Sequence, residues 1–475
     1  TWGDGDMTLA PLWTSADAAE ATHGHATGSW AATGISIDTR TLEAGDLFVA
    51  LAGPNFDGHK FVPAAFEAGA VAAVVSKKNS DTLNGNPGLI VADTLEAIRD
   101  LAFIARSRSV AKVTAITGSV GKTGTKEALA HVLSRQGDVS YSRSSLNNHW
   151  GVPLSVARMP AEADYGVFEI GMNHAGEITP LVALARPDVA IVTAIAPAHM
   201  EFFNSVEDIA RAKAEIFSGL EGGTAIINRD TEFFDLLAQC ASESGASGIV
   251  SFGRHAGADM RLMECISDAS GNNIEARWKD RQLAFRVDQP GVHWANNSLA
   301  VLASVIAMGG NLEKATGDLS TLPPLPGRGA VHVIPWGDGN IRLIDDSYNA
   351  NPESMAAALK TLGHMEPDGG RRIAILGDML ELGDISAASH AGLRDHVEEN
   401  TIDMVFLVGS EMSALSGALE GSRLGAIANT SEALMPQILA NLQAGDVVTV
   451  KASNGIGLGR IVDALINPQT IPRAA

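Results

Sequence analysis

The segment Thr117-Gly118-Ser119-Val120-Gly121-Lys122-Thr123 stands between a hydrophobic run, Val113 to Thr117, and a helical stretch from about Thr125 to Gln136. A buried strand that turns through glycines into a helix commits this part of the chain to a parallel sheet covered by helices. The glycines let backbone amides turn toward phosphate, Lys122 reaches terminal phosphates, and the Thr123 hydroxyl is a Mg²⁺ ligand. Phosphate loops of the general pattern have four residues between their glycines. Here there are two, Ser119 and Val120, so the loop alone is also compatible with an ordinary strand-to-helix turn.

The rhythm around this loop predicts three domains. Tyr165 to Ile170 and Val189 to Ala194 are hydrophobic with little alternation, as expected of strands covered on both faces. Ser205 to Ser218 reads as a helix, Thr224 to Asn228 as a strand, and Leu283 to Val287 as a strand ahead of a long helix, Ala295 to Met308. Leu322-Pro323-Pro324-Leu325-Pro326-Gly327 then stops both helix and central strand, and makes a stiff linker. Beyond it, Ile341 to Asp345, Arg372 to Leu376, Met404 to Val408 and Val447 to Val450 alternate with helices at Ser354 to Leu362, Ser386 to Glu399 and Ser431 to Leu442. That pattern implies a doubly wound, Rossmann-like domain. Before the loop, short strands at Ile35 to Ile37, Leu47 to Leu51 and Val71 to Ser76 frame a helix at Phe61 to Ala68. A loop at Asn79 to Gly88 follows, then an exit helix, Leu95 to Arg108. The expected fold class is α/β, with a small α/β domain (1–108), a central P-loop-like ATPase domain with a mostly parallel sheet (109–323), and a C-terminal Rossmann-like domain (324–475).

Composition narrows the function. With 34 Lys plus Arg against 55 Asp plus Glu, the formal charge is −21. That excludes a general nucleic-acid binder, which needs a basic footprint, but not anionic small ligands held by local amides and cations. Apolar residues make up 45% of the chain, enough for sizeable cores, so wholesale disorder is excluded. Cys240 and Cys265 are too few for a disulfide framework or a thiolate zinc site. The longest membrane candidate, Leu299 to Met308, is about half of what a bilayer needs. Thr1 to Asp6 are acidic and glycine-rich, unlike a signal peptide, and read as residues ahead of a native start at Met7. The expectation is a soluble, cytoplasmic monomer with no membrane span.

A Mg²⁺ site beside the loop needs hard oxygen ligands. Glu169 ends a predicted strand where it would face the loop, and His199 follows the strand Val189 to Ala194. As isolated residues, the first is equally an exposed carboxylate and the second a structural histidine.

Further motifs give these residues a context. Asn147-Asn148 through Gly151-Val152-Pro153, Glu169-Ile170-Gly171-Met172-Asn173-His174, Ala198-His199-Met200-Glu201, Ala212-Lys213-Ala214-Glu215 and Pro326-Gly327-Arg328 resemble the Mur ligase family. Asp345-Asp346-Ser347-Tyr348-Asn349-Ala350-Asn351-Pro352 and Leu376-Gly377-Asp378-Met379-Leu380-Glu381-Leu382-Gly383 resemble its branch that adds D-Ala-D-Ala to UDP-N-acetylmuramoyl-tripeptide, rather than the branch adding the third amino acid. The resemblance implies an ATP-dependent amide-forming ligase of peptidoglycan precursor synthesis. ATP would convert the tripeptide carboxylate to an acyl phosphate, which the dipeptide amine attacks. The third residue of the tripeptide, diaminopimelate or lysine, stays open.

By the same resemblance, Gly118, Ser119, Val120, Gly121, Lys122 and Thr123 bind ATP, with Lys122 on the γ-phosphate. Thr123 and Glu169 hold one Mg²⁺, His199 a second, and Lys213 carries a CO₂-derived carbamate that adds an anionic metal ligand. Lys122, Lys213, His199 and Arg328 form the catalytic set. Asn297 meets adenine, although Asn296 beside it leaves that assignment open by one position, and Arg328 and Asp346 approach ATP from the third domain. Asn349 and Asn351 line the nucleotide or dipeptide site, and Asn147 and Asn148 hold the muramyl-peptide arm. Ser36, Asp38 and Arg40 of Ser36-Ile37-Asp38-Thr39-Arg40 form a patch for uracil or diphosphate, making 1–108 the UDP-muramoyl-peptide-binding domain. One departure stands out: Lys451-Ala452-Ser453-Asn454 replaces a family pattern of Lys-Gly-Ser-Arg.

Overall fold

The computed structural model describes residues 10–53, 56–143, 145–268, 270–419, 421 and 423–467, so the segment ahead of Met7 lies outside the described residues. Three α/β domains, each built on its own sheet, follow one another along the chain. In the first sheet, Gly34–Ser36, Asp46–Val49, Ala72–Ser76 and Gly88–Val91 run parallel and His25–Thr27 closes the edge antiparallel. The segment read as a loop at Asn79 to Gly88 is instead a 3₁₀ turn, Lys77–Leu83, leading into the strand Gly88–Val91. Four residues are too few for an alternation to register. Helix Thr94–Arg108, capped by Asp93, is more than an exit. Its buried Ile98, Leu101 and Ala105 share a core with Val152, Leu154 and Val156 of the next domain.

The central sheet has nine strands in the order Arg281–Val287, Gly271–Trp278, Met260–Asp268, Gly248–Gly253, Thr224–Asn228, Val189–Val192, Lys112–Thr117, Tyr165–Glu169, Val139–Tyr141. It is parallel from Met260–Asp268 through Val139–Tyr141, and the other two strands add antiparallel hairpins. Besides the short edge strand Val139–Tyr141, three strands, Gly248–Gly253, Met260–Asp268 and Gly271–Trp278, carry no clear signal in the sequence. They sit toward one end of the sheet, where exposed Met263 and Ile266 and buried Asn272 blur the apolar pattern. Helix Lys122–Leu133 begins earlier than its apolar spacing indicates, because its first turn belongs to the phosphate loop. Its Leu129 and Val132 pack in one core with Leu299 and Leu302 of helix His293–Ala307.

The third sheet runs Ala330–Trp336, Gly339–Asp345, Val447–Lys451, Arg372–Gly377, Met404–Val408, Leu424–Ala428. Only the first pair is antiparallel. Ligands of open α/β sheets bind beyond the carboxyl ends of strands. Thr117 and Glu169 end central strands, and Asp345, Gly377 and Lys451 end C-terminal ones. One cleft of about 570 Å³ is lined from both sets of ends. Among the described residues, no helix is long and apolar enough to cross a membrane.

Candidate active site

The phosphate loop is braced from the neighbouring strand. Thr193 Oγ1 donates to Val120 O at 2.6 Å and Thr117 O at 3.2 Å. Ser119 donates from its amide to Ala194 O and from its hydroxyl to Ala196 O, at 2.8 and 2.9 Å. Gly121 has φ +84°, and a Cβ there would stand 2.7 Å from Asn297 Oδ1. Gly121→Ala therefore combines left-handed strain with a clash against the Asn297 side chain. We expect a loss of ADP affinity of about tenfold or more, from roughly 1–3 kcal/mol of strain, read by titration calorimetry on the folded variant.

Lys122 begins the helix and curls back, its Nζ donating to Gly118 O at 2.6 Å. Burial lowers its pKa, and the Arg328 charge acts in the same sense while Glu169 opposes both. An arriving phosphate would reinforce Glu169 in keeping the ammonium charged.

Glu169 is buried, and both its oxygens are held. Thr123 Oγ1 donates to one and Asn147 Nδ2 to the other, each at 2.7 Å. The hydroxyl and carboxylate are the hard oxygen donors Mg²⁺ takes alongside phosphate and water. Among the described residues, no group of three or more His, Cys, Asp or Glu is poised to hold a metal by itself. The donor set thus suits a cation that arrives with phosphate.

Lys213 is buried on helix Val206–Ala214, and its pKa is pushed well below the lysine range by burial and then by Lys122. The charge acting on it is another cation, which favours a neutral amine. His199 has φ +58° and its Nδ1 lies 2.6 Å from Glu381 Oε2 of the C-terminal domain. Burial, followed by Lys122 and Lys213, lowers its pKa and favours the neutral ring.

The third domain closes the other side. Arg328 donates to Ser145 Oγ at 3.0 Å and stacks over the Tyr348 ring at 4.2 Å. Asp346 pairs with Lys451 at 2.8 Å, and Lys451 also donates to Asn349 O. Ser453 Oγ accepts from Leu380 N at 2.9 Å. The segment that departs from the family pattern thus organises the loops carrying Asp346 and Glu381.

The cleft brings together Gly121, Lys122, Thr123, Asn147, Glu169, His199, Asn296, Asn297, Arg328, Asp346, Asn349 and Asn351. Asn296 and Asn297 both line it, and the Asn296 Oδ1 is buried without a partner. Several asparagines have structural duties as well. Asn351 caps helix Pro352–Gly363 in a box with Ser354, Asn148 Oδ1 accepts from Trp150 N and Gly151 N, and Asn349 Oδ1 accepts from Ala350 N. Asn148 does not line the cleft, whereas Asn147 lines it and also holds Glu169. Ser36, Asp38 and Arg40 stand apart on the first domain. Ser36 Oγ donates to Asp38 O, and the Asp38 carboxylate, its pKa lowered by its hydrogen bonds from Arg40, holds an exposed Arg40. Thr193, Ser145, Glu381 and Lys451 also line the cleft, and the sequence assigns them no role. A hydroxyl ending an apolar strand is the one local signal among them.

A braced phosphate loop with a hard-oxygen corner, faced by an arginine and an acid–lysine pair from a second lobe, defines a nucleotide-dependent enzyme that works between domains. Residues 31–103 match the Mur ligase family catalytic domain, 116–305 the Mur ligase middle domain, and 332–454 the Mur ligase glutamate ligase domain. The chain belongs to the Mur ligase family, whose members are ATP-dependent amide-bond ligases. It is 37% identical over 435 residues to the UDP-N-acetylmuramoyl-tripeptide--D-alanyl-D-alanine ligase of Escherichia coli, covering 91% of this chain and 93% of that one. It is 33% identical to the Rickettsia prowazekii ligase of the same name, over 90% and 94% of the two chains. The crystal structure of MurF from Acinetobacter baumannii superposes with a TM-score of 0.81 at 31% identity, covering 96% of this chain and 99% of that one. MurF from Thermotoga maritima in complex with ADP superposes at 0.74 with 26% identity, covering 91% and 96%.

Proposed function

We infer that the protein joins D-Ala-D-Ala to the carboxylate ending UDP-N-acetylmuramoyl-tripeptide, with ATP cleaved to ADP and phosphate. The observation that carries this reading is the cleft, which sets Lys122 on one lobe against Arg328 and the Asp346–Lys451 pair on another. Agreement with relatives of that specificity along nine-tenths of the chain supports it.

A carboxylate is a poor acyl donor, so its oxygen first attacks the γ-phosphorus and ADP leaves. The dipeptide amine then adds to the acyl carbon, and phosphate departs from the tetrahedral intermediate. Lys122 and Arg328 neutralise charge on the transferring phosphoryl group. Gly118 to Gly121 supply amides, Asn297 or Asn296 faces adenine, and Asp346 approaches the nucleotide. Thr123 and Glu169 would hold Mg²⁺, and His199 with a carbamate on Lys213 a second ion. Bound there, the cations screen phosphate charge from the incoming nucleophile. Enclosure between lobes keeps water from the acyl phosphate.

In this reading 1–108 grips the UDP-muramoyl arm through Ser36, Asp38 and Arg40, 109–323 holds ATP, and 324–475 brings the dipeptide past Asn349 and Asn351. Asn147 and Asn148 shape the path of the arm. In this reading the protein acts as a monomer, and its nucleotide-linked substrates suit the cytoplasm. Incubation with ATP, UDP-N-acetylmuramoyl-tripeptide and either D-Ala-D-Ala or single amino acids tests the specificity. The pentapeptide product is expected with the dipeptide alone. Efficient use of a single amino acid would sink the reading.

A further inference from the structure

The loop after strand Arg372–Gly377 carries a carboxylate that the reaction scheme leaves without a task. Glu381 sits at φ +63°, a conformation non-glycine residues seldom adopt. The loop is built to keep it there: Met379 N donates to His390 Nε2 at 3.0 Å, and Leu380 N to Ser453 Oγ at 2.9 Å. Opposite stands His199, also left-handed, on the central domain. The two loops meet twice. The side chains approach to 2.6 Å, and Glu201 N donates to Glu381 O at 3.2 Å. Gly383, at φ +55°, lets the loop pass close by, since a Cβ there would come 3.1 Å from the Glu201 Cα.

An exposed ion pair holds two surfaces together only weakly. The geometry here has a more specific consequence. An ionised carboxylate only accepts hydrogen bonds, so the nitrogen facing it, Nδ1, carries the ring proton and Nε2 keeps its lone pair. A histidine tautomer set in this way by a carboxylate is the arrangement that prepares a ring for a metal. The carboxylate comes from a different domain, so the ring is set only while the two lobes are together.

We propose that Glu381 is a positioning residue, which fixes the His199 ring with Nε2 free for a divalent cation and so couples seating of the C-terminal lobe to cation binding. The proposal rests on the ligase reading. Its physical content is a reciprocal linkage: whatever favours the closed lobes favours the cation at His199, and the cation favours closure to the same degree.

The test uses the full chain with Mn²⁺ as the probe, a non-hydrolysable ATP analogue, and the variants Glu381→Ala, Glu381→Gln and His199→Ala. Mn²⁺ titration followed by electron paramagnetic resonance should show the weaker of two sites weakened about tenfold in Glu381→Ala, at the low end of what loss of such a supporting partner costs. Glu381→Gln should restore most of it, because the amide oxygen still accepts from Nδ1. In turnover, Glu381→Ala should lower kcat while KM for ATP stays within about twofold. The double variant should bind Mn²⁺ no more weakly than His199→Ala alone. A Glu381→Ala titration that overlays the wild type, or losses that multiply in the double variant, would overturn the proposal. The titration needs no tripeptide, so it reads the coupling even if the ligation assay were to contradict the assigned substrates.

Discussion

Lys122→Ala is expected to lower kcat by about 10³-fold, the upper part of the range for loss of one preorganised charge-stabilising group, while leaving the fold intact. The ammonium rests 2.6 Å from Gly118 O, inside the loop that would wrap the phosphates, and makes no ion pair among the described residues. Burial is already the leading influence on its pKa, so alanine removes a desolvated charge rather than a structural strut. The expected change in Tm is therefore small, about 2 °C or less. Steady-state phosphate release and a thermal melt check both halves. Near-normal turnover would show that the loop does not hold the reacting phosphate.

Lys213→Met should separate activity from stability even more clearly. We expect turnover to fall by about 10²-fold, as for loss of a metal-supporting ligand, with no loss of stability. The carbamate reading adds a dependence on CO₂: wild-type turnover should drop in CO₂-free buffer and return with bicarbonate, and the variant should ignore both. The sign of the pH effect follows from the depressed pKa. Without CO₂, the unfolded chain keeps the proton up to about 10.5, while the folded amine releases it at lower pH. Between those values the unfolded state binds more protons, so wild-type stability rises with pH. The stabilising effect of Lys213→Met should thus be largest near neutrality and shrink toward pH 10. Denaturant melts across that range measure it, and a variant less stable than wild type at pH 7 would contradict the account.

The parts of the fold that show in the sequence are those with an uninterrupted physical cause. Val189–Val192 is apolar throughout and Thr224–Asn228 through its centre, because both faces of the sheet are covered. Met260–Asp268 escapes notice because half its residues face water near the end of the sheet. The same holds for the site. The phosphate loop is legible because its seven residues are contiguous. The His199–Glu381 and Arg328–Ser145 contacts join positions 182 and 183 residues apart, which no local pattern can announce. Asn148 and Asn351 show the reverse case. The side chain that suits a substrate contact also suits local backbone amides: Asn351 caps its helix, and Asn148 Oδ1 accepts from Trp150 N and Gly151 N ahead of helix Gly151–Ala157.

The central claim is that the carboxylate is activated as an acyl phosphate. It is tested most directly with UDP-N-acetylmuramoyl-tripeptide carrying ¹⁸O in its terminal carboxylate. If that oxygen attacks the γ-phosphorus and leaves with it when the amine displaces phosphate, the released inorganic phosphate carries one ¹⁸O for each amide formed. Amide formation with unlabelled phosphate would contradict the account.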